Sequence, residues 1–291
     1  MKQDNLALFT SGVTIFGIGG TLKKHLKILS VTLLLLAGPG SEALAFSPPT
    51  LTNLGSAQVD AVLTDFGANF VFRPLEPASS YGRIWGLSVG VIGSLADSSA
   101  IRANIPGTEG LKYTPNAEIY LGAQFPLGIA AEFGFFPSLS VGGFKIHSIG
   151  GDLKWTFTDL VKAKSLPVDV ALRVMYAGAG LSYAQTISGV ADTISYSSSS
   201  FGTNLSVSKK FLLLEPYLGL GYLHTSSTLS DTGAITLFQS TVSLTDSFSD
   251  THGGIWFYAG LQFTLLIATF SAEYDDMYGV SAGAIKVAFR F

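Results

Sequence analysis

The sequence predicts an all-β fold: a transmembrane, antiparallel, up-and-down β-barrel of about ten strands with its apolar side outward. Three observations carry this. Apolar residues alternate with polar residues or glycine through most of the chain after residue 81, the period of a strand with two unlike faces. Apolar residues make up 47% and charged residues 13%, with 33 glycines and 12% aromatics, against roughly 25% charged in ordinary soluble domains. The chain ends on an amphipathic strand whose last residue is Phe291.

The first 45 residues read as an export signal. Lys23, Lys24 and Lys27 precede the apolar run Ile28 to Ala37, followed by Gly38-Pro39-Gly40 and Ala43-Leu44-Ala45. That is a positive region, an apolar stretch of about ten residues and a small-residue cleavage pattern; a membrane anchor would need about 20 apolar residues. Cleavage is expected between Ala45 and Phe46. Residues 1–21 fit poorly ahead of such a signal, and a start near Leu22 suits it better.

Residues 46–81 form an N-terminal segment ahead of the barrel. Val59, Val62, Leu63 and Phe66 lie at i, i+3, i+4 and i+7, one stripe of a short amphipathic helix, and Ser56 is a candidate cap. Gly67 to Arg73 looks strand-like and stops at Pro74 and Pro77. This stretch has three placements open to it: across the periplasmic mouth of the barrel, inside the lumen as a plug, or paired as an extra strand.

Residues 82–291 carry the barrel. Strands are expected near 82–94, 117–125, 128–136, 143–157, 168–184, 194–208, 213–228, 252–265, 268–275 and 280–291. Val168, Val170, Leu172, Val174 and Tyr176 alternate with Asp169 and Arg173; Leu218, Leu220 and Tyr222 alternate with Glu215, Tyr217, Gly219 and Gly221. Thr251 to Ala272 has no charge and is long enough for a spanning helix, but its glycines, threonines and aromatics suit strands. Alternation alone does not separate a membrane barrel from a soluble sandwich. The export signal, the low charge and the last strand favour the barrel.

With the C-terminus placed in the periplasm, the connections 126–127, 158–167, 209–212 and 266–267 fall inside, and the long polar 95–116 and 229–251 fall outside. Short turns inside and long loops outside is the pattern of outer-membrane barrels. A twelve-strand alternative would draw another strand from 235–245.

In the last strand Phe291, Phe289, Val287 and Ile285 share one face, with Arg290 and Lys286 on the other. This resembles the C-terminal insertion signal of bacterial outer-membrane proteins. Leu166-Pro167-Val168-Asp169-Val170-Ala171-Leu172, Ser208-Lys209-Lys210-Phe211, Glu215 to Tyr222, and Phe72-Arg73-Pro74-Leu75 resemble a family of uncharacterised bacterial outer-membrane β-barrel proteins over roughly residues 60–291. The resemblance implies fold and location, with outer-membrane lipids and the barrel-assembly machinery as partners. It implies no activity.

Chemistry is sparse. There is no cysteine, which excludes disulfides and thiolate metal sites, and the net charge of −3 offers no footprint for nucleic acid. His224 and Ser226 share a strand face, the arrangement a hydroxyl nucleophile and its base would need, and a membrane-embedded lipid hydrolase using them is a third functional reading, behind a conduit and a plugged structural barrel. Glu273, Asp275 and Asp276 are a candidate calcium cluster. No metal, cofactor or enzymatic activity is expected from either set. The richer set is the inner face: Glu118, Glu132, Lys145, Asp152, Lys154, Asp169, Arg173, Glu215, Tyr217, Trp256, Tyr258, Glu273, Asp275, Lys286 and Arg290. Either these line a narrow conduit for a small solute or amphiphile, or they are paired in a plugged lumen, leaving a structural or surface-interaction protein.

Overall fold

The structure, a computed structural model, describes residues 55–81, 85–105, 108, 110–141, 144–159, 167–187, 190–237 and 240–291. The expected signal, with Ala43 and Ala45, lies outside these residues. Helix α1 (Ser56–Asn69) precedes ten antiparallel strands that close into one barrel: β1 (Gly86–Asp97), β2 (Tyr113–Gln124), β3 (Ile129–Val141), β4 (Phe144–Thr156), β5 (Asp169–Ile187), β6 (Val190–Ser208), β7 (Leu214–Leu237), β8 (Ser240–Leu265), β9 (Ala268–Met277) and β10 (Val280–Arg290). Each strand pairs with its sequence neighbours, and β10 closes on β1 from Ser88↔Arg290 to Ala96↔Ala282. Past the strand ends, Phe291 N–H donates to Leu87 O (2.8 Å) and Leu87 N–H to Phe291 O (3.0 Å).

β1 starts and β10 finishes at one end of the barrel, here the terminal end; the other is the hairpin end. The connections at the terminal end range from the stretch 157–168 between β4 and β5 down to the dipeptide Leu266–Ile267, where Leu266 takes φ 55°. Nothing in that dipeptide announces a turn, and a left-handed non-glycine residue costs about 1–2 kcal/mol. The opposite turn of the same strand is Tyr278–Gly279, with φ 57° and 84°, the doubly left-handed turn that favours glycine at its second position.

Two sequence expectations are corrected at the hairpin end. Residues 229–237 and 240–251 are strand and not loop: β7 and β8 stay paired from Leu214↔Phe263 to Leu237↔Ser240. The β-prone 235–245 region therefore lengthens two existing strands and adds none, which removes the twelve-strand alternative. Between β1 and β2 the expected loop 95–116 is shorter than expected, because β1 runs to Asp97 and β2 starts at Tyr113, and it contains helix α2 (Ser99–Asn104).

The outer face is apolar over a limited height. Along β7 the outward residues are Leu214, Pro216, Leu218, Leu220 and Tyr222, all exposed, and then His224 and Ser226. This nine-residue apolar run matches the ~9–11 residues a tilted strand needs to cross a bilayer core. Trp85 with Phe125 (5.5 Å) and Trp155 with Phe157 (5.9 Å) mark its terminal-end edge, and exposed Tyr176, Phe201, Tyr222 and Tyr274 mark the other. Above it β5 to β8 continue as a serine- and threonine-rich sheet.

Candidate functional site

The lumen is filled by the N-terminal segment. Helix α1 begins after Gly55, which rather than Ser56 occupies the capping position. Gly67–Asn69 belong to this helix and Phe70 to Ser80 are an irregular strap, so the expected strand at Gly67 to Arg73 does not form and no extra wall strand arises. Contacts descend the barrel in order. Gln58 reaches Asn104 beyond the hairpin-end rim (3.1 Å), Phe66 stacks near Tyr196 (5.2 Å), and Ala78 O accepts from Thr156 Oγ1 at the terminal end (2.6 Å).

The helical stripe works as its spacing suggests. Val62 packs with Ile101 and Ile105, which brings α2 down onto α1; Leu63 packs with Tyr196 and Ala179, with Val59 and Phe66 alongside. Asp65 Oδ2 accepts from the N–H groups of Ala100 (2.8 Å) and Ile101 (3.0 Å) at the start of α2. Burial pushes the Asp65 carboxyl above its ordinary range, against the pull of those two hydrogen bonds.

The strap is held by charge. Arg73 donates to Asp275 of β9 through Nε (2.7 Å) and Nη2 (3.2 Å), while Nη1 and Nη2 also donate to the carbonyls of Asn69 (3.1 Å) and Ala68 (2.8 Å). One guanidinium therefore satisfies a wall carboxylate and the carbonyls that the end of α1 leaves unpaired. Glu76 accepts from Lys286 Nζ (2.5 Å), from Arg290 Nη2 and from the Tyr120 hydroxyl (3.2 Å). Burial alone would raise the Glu76 carboxyl, but Arg290, Lys286 and Lys154 overcome it and hold it well below the usual carboxylate range. Lys286 also donates to Pro74 O (2.5 Å), and Lys154 to the carbonyls of Pro77 (3.0 Å) and Ser79 (3.2 Å).

Wall glycines make the room. A Cβ on Gly134 or Gly150 would lie 2.5 or 2.4 Å from Phe72 of the strap. Tyr217 lies over Gly260 and Tyr258 over Gly219, and each pair is directly cross-strand. Beside Tyr258, the buried Trp256 lies at 5.0 Å.

Of the other inward-expected residues, Glu132, Asp152, Lys154 and Arg173 form a buried quartet on β3, β4 and β5. Arg173 lies 3.2 Å from Asp152 and 3.5 Å from Glu132, and Lys154 3.7 Å from Glu132. Glu118 accepts from Ser148 (3.3 Å) and Glu215 from Ser208 (2.7 Å); Glu273 is buried and Asp169 half-buried. Lys145 is exposed, contrary to expectation. Strict alternation from Lys154 puts even-numbered residues of β4 inward, so Ile146 takes the inner place beside the Leu63 cluster.

The candidate hydroxyl dyad does not assemble. His224 and Ser226 are both on the outer face, and Ser226 Oγ pairs with Thr251 Oγ1 (3.4 Å). Nor does the calcium cluster: Asp275 is taken by Arg73, while Asp276 caps the Tyr278–Gly279 turn through Gly279 N–H (3.2 Å). Sequence reasoning missed Glu76 and Asp60. Glu76 had a signal, since Arg73 and Glu76 are the only charges in an otherwise largely apolar run from Ala68 to Ala78, and isolated charges in such a run need buried partners.

Fold and lumen together define a closed ten-stranded barrel carrying its own internal plug. The chain belongs to a family of unknown function, DUF6588, whose model matches residues 83–283. No curated protein matches it. Solved structures similar to it include Ail, the attachment invasion locus protein of Yersinia pestis (13% identity, 71% of this chain and 97% of that one, TM-score 0.28). A major outer membrane protein from Thermus thermophilus matches at 12% identity (71% and 99%, TM-score 0.36). The outer membrane protease OmpT from Escherichia coli matches at 9% identity (75% and 100%, TM-score 0.40). None of these likenesses bears on what the present chain does.

Proposed function

We propose that the protein is an integral outer-membrane β-barrel of a bacterium whose lumen is kept shut by residues 55–81. It acts without catalysis, through the sheet that β5 to β8 raise above the membrane. The terminal end faces the periplasm and the hairpin end the exterior. Outer-membrane lipids cover the apolar belt, and the barrel-assembly machinery captures the last strand by the face of Ile285, Val287, Phe289 and Phe291, an edge open to strand addition until β1 closes on it.

The observation that carries the closed reading is the strap. Phe70 to Ala78 is almost wholly buried inside the wall, and its two charges, Arg73 and Glu76, are both paired with strand residues. A conduit for a small solute would need these buried pairs broken, which is costly. The tyrosine–glycine pairs and Phe72 occupy the space that water would need.

Planar-bilayer conductance of the refolded chain tests this. The expected result is silence from a sample whose gel mobility shifts on boiling, the mark of a folded barrel. Steady ion conductance by that sample overturns the closed reading in favour of a passive channel. Recovery of the chain wholly in the soluble periplasmic fraction overturns the membrane location. An esterase assay in micelles addresses catalysis: activity that His224→Ala abolishes would reinstate a hydrolase.

A further inference from the structure

We propose that Asp60, Asp250 and His252 form a divalent transition-metal site, fitted to zinc, that clamps helix α1 to the barrel wall at its hairpin end. Asp60 comes from α1; Asp250 and His252 are two residues apart on β8 and share its inner face. One ligand atom from each residue lies within 4.8 Å of the other two. His252 Nε2 is 3.4 Å from Asp60 Oδ1 and 3.4 Å from Asp250 Oδ2.

Those separations are too long for good N–H···O hydrogen bonds, which run ~2.7–3.2 Å. They suit a shared ion. With metal–ligand bonds of ~2.0–2.1 Å, the edge between two ligands of a tetrahedron is roughly 3.3–3.4 Å. A single imidazole N–H also cannot point at two carboxylates at once, whereas a neutral imidazole and two carboxylates can point at one cation.

A second observation is independent of the spacing. Asp60 Oδ1 is shielded from water and has no hydrogen-bond partner. A carboxylate oxygen left so is expensive, and a bound cation satisfies it. Thr64 sits one turn along α1 from Asp60, on the same face. Its hydroxyl donates to Asp60 O (3.0 Å) and stands 3.3 Å from His252 Nε2, so its free lone pairs face the cluster. That leaves a fourth position for water or this hydroxyl.

The donor set chooses the metal. Calcium takes six to eight oxygens, roughly, and has little use for imidazole; one nitrogen and two carboxylates suit zinc and its first-row neighbours. The site is reachable, since the side chains of Asp60 and Asp250 are 46% and 34% exposed while His252 is 14% exposed. It ties two elements nearly two hundred positions apart in sequence, so an ion bound there strengthens the hold on the helix.

The test is zinc titration of the full refolded chain in detergent micelles, against a chromophoric chelator. One zinc per chain is expected. Removing a direct ligand should weaken binding by at least about 100-fold, since even outer-sphere partners cost about 10–100-fold, so His252→Ala and Asp250→Asn should each show that loss. His147→Ala, changing an exposed histidine outside the cluster, should bind like the wild type. All variants are compared only as heat-modifiable barrels. Absence of saturable binding by the wild type overturns the site, and so does binding that survives both ligand substitutions. Conductance is a separate readout, so an open channel that still binds one zinc would sink the closed lumen and leave the metal site standing.

Discussion

Residues 56–69 and 70–81 follow one another through the same lumen and are held by different physics. The strap is fixed by ion pairs with no water around them and by a phenyl ring set into two glycine gaps. The helix is held by an apolar stripe, one capping carboxylate and a half-exposed histidine–aspartate cluster. Buried charge pairs have no cheap alternative, because a broken pair leaves both partners desolvated. An apolar stripe and exposed ligands let go more gradually. The strap is therefore the permanent closure, and the helix is the part whose hold can be tuned.

The largest effect should come from Glu76. Glu76→Leu leaves Lys286 and Arg290 facing each other with no carboxylate between them, and loss of one partner of a buried pair costs about 3–5 kcal/mol. Urea unfolding in lipid vesicles should show that loss, whereas a change under about 1 kcal/mol would mean that the strap is not what the wall charges hold. Arg73→Leu should behave alike, since it strips both Asp275 and the end of α1.

Next is the fit of Phe72. Gly150→Val pushes side-chain atoms into the ring, and overpacking costs about 1–3 kcal/mol. The same substitution in a Phe72→Gly background should cost far less, because the Cβ and the ring it strikes have both gone. Equal costs in both backgrounds would show that the strap is not seated against β4.

How much of this was legible follows the same division. The belt and the parity of the strands could be read from the alternation, because one face is greasy and the other is not. The hairpin above the belt could not, since the Ser-Thr-Asp-rich composition of residues 229–251 carries no regular amphipathic signal; cross-strand pairing reveals the strands there. The inner charges were legible as a set, but not their partners. Asp60 and His252 meet only because α1 stops at a particular height in the lumen, which no spacing encodes. Lys145 looks inward only by its charge; counted along its own strand from Lys154, it falls on the outer face.

At the helix end the effects are smaller. Asp65→Ala removes the acceptor that receives Ala100 and Ile101, and loss of a helix cap costs about 1 kcal/mol. Hydrogen exchange at residues 99–104 should speed up while exchange in the strap stays unchanged. Faster exchange in both would mean that the plug moves as one body and that the contrast is false.

The smallest expected effect is that of pH, and its sign differs between the two ends. The Glu76 carboxyl is held below its ordinary range, so its stabilisation is present above the unfolded value and is lost only when pH falls through the still lower folded one. Asp65 is shifted the other way: the folded state binds its proton more tightly than the unfolded state does. The hold on α2 is then strongest in acid and declines as pH rises through the interval between the two values. Mild acidification should therefore tighten residues 99–104 and leave the strap untouched, as read by hydrogen exchange corrected for the intrinsic pH dependence of amide exchange. Asp65→Asn should abolish that response. A response that survives this substitution places the titrating group elsewhere in the helix end, while loosening of the strap over the same range would mean that the wall cations do not hold Glu76 ionised.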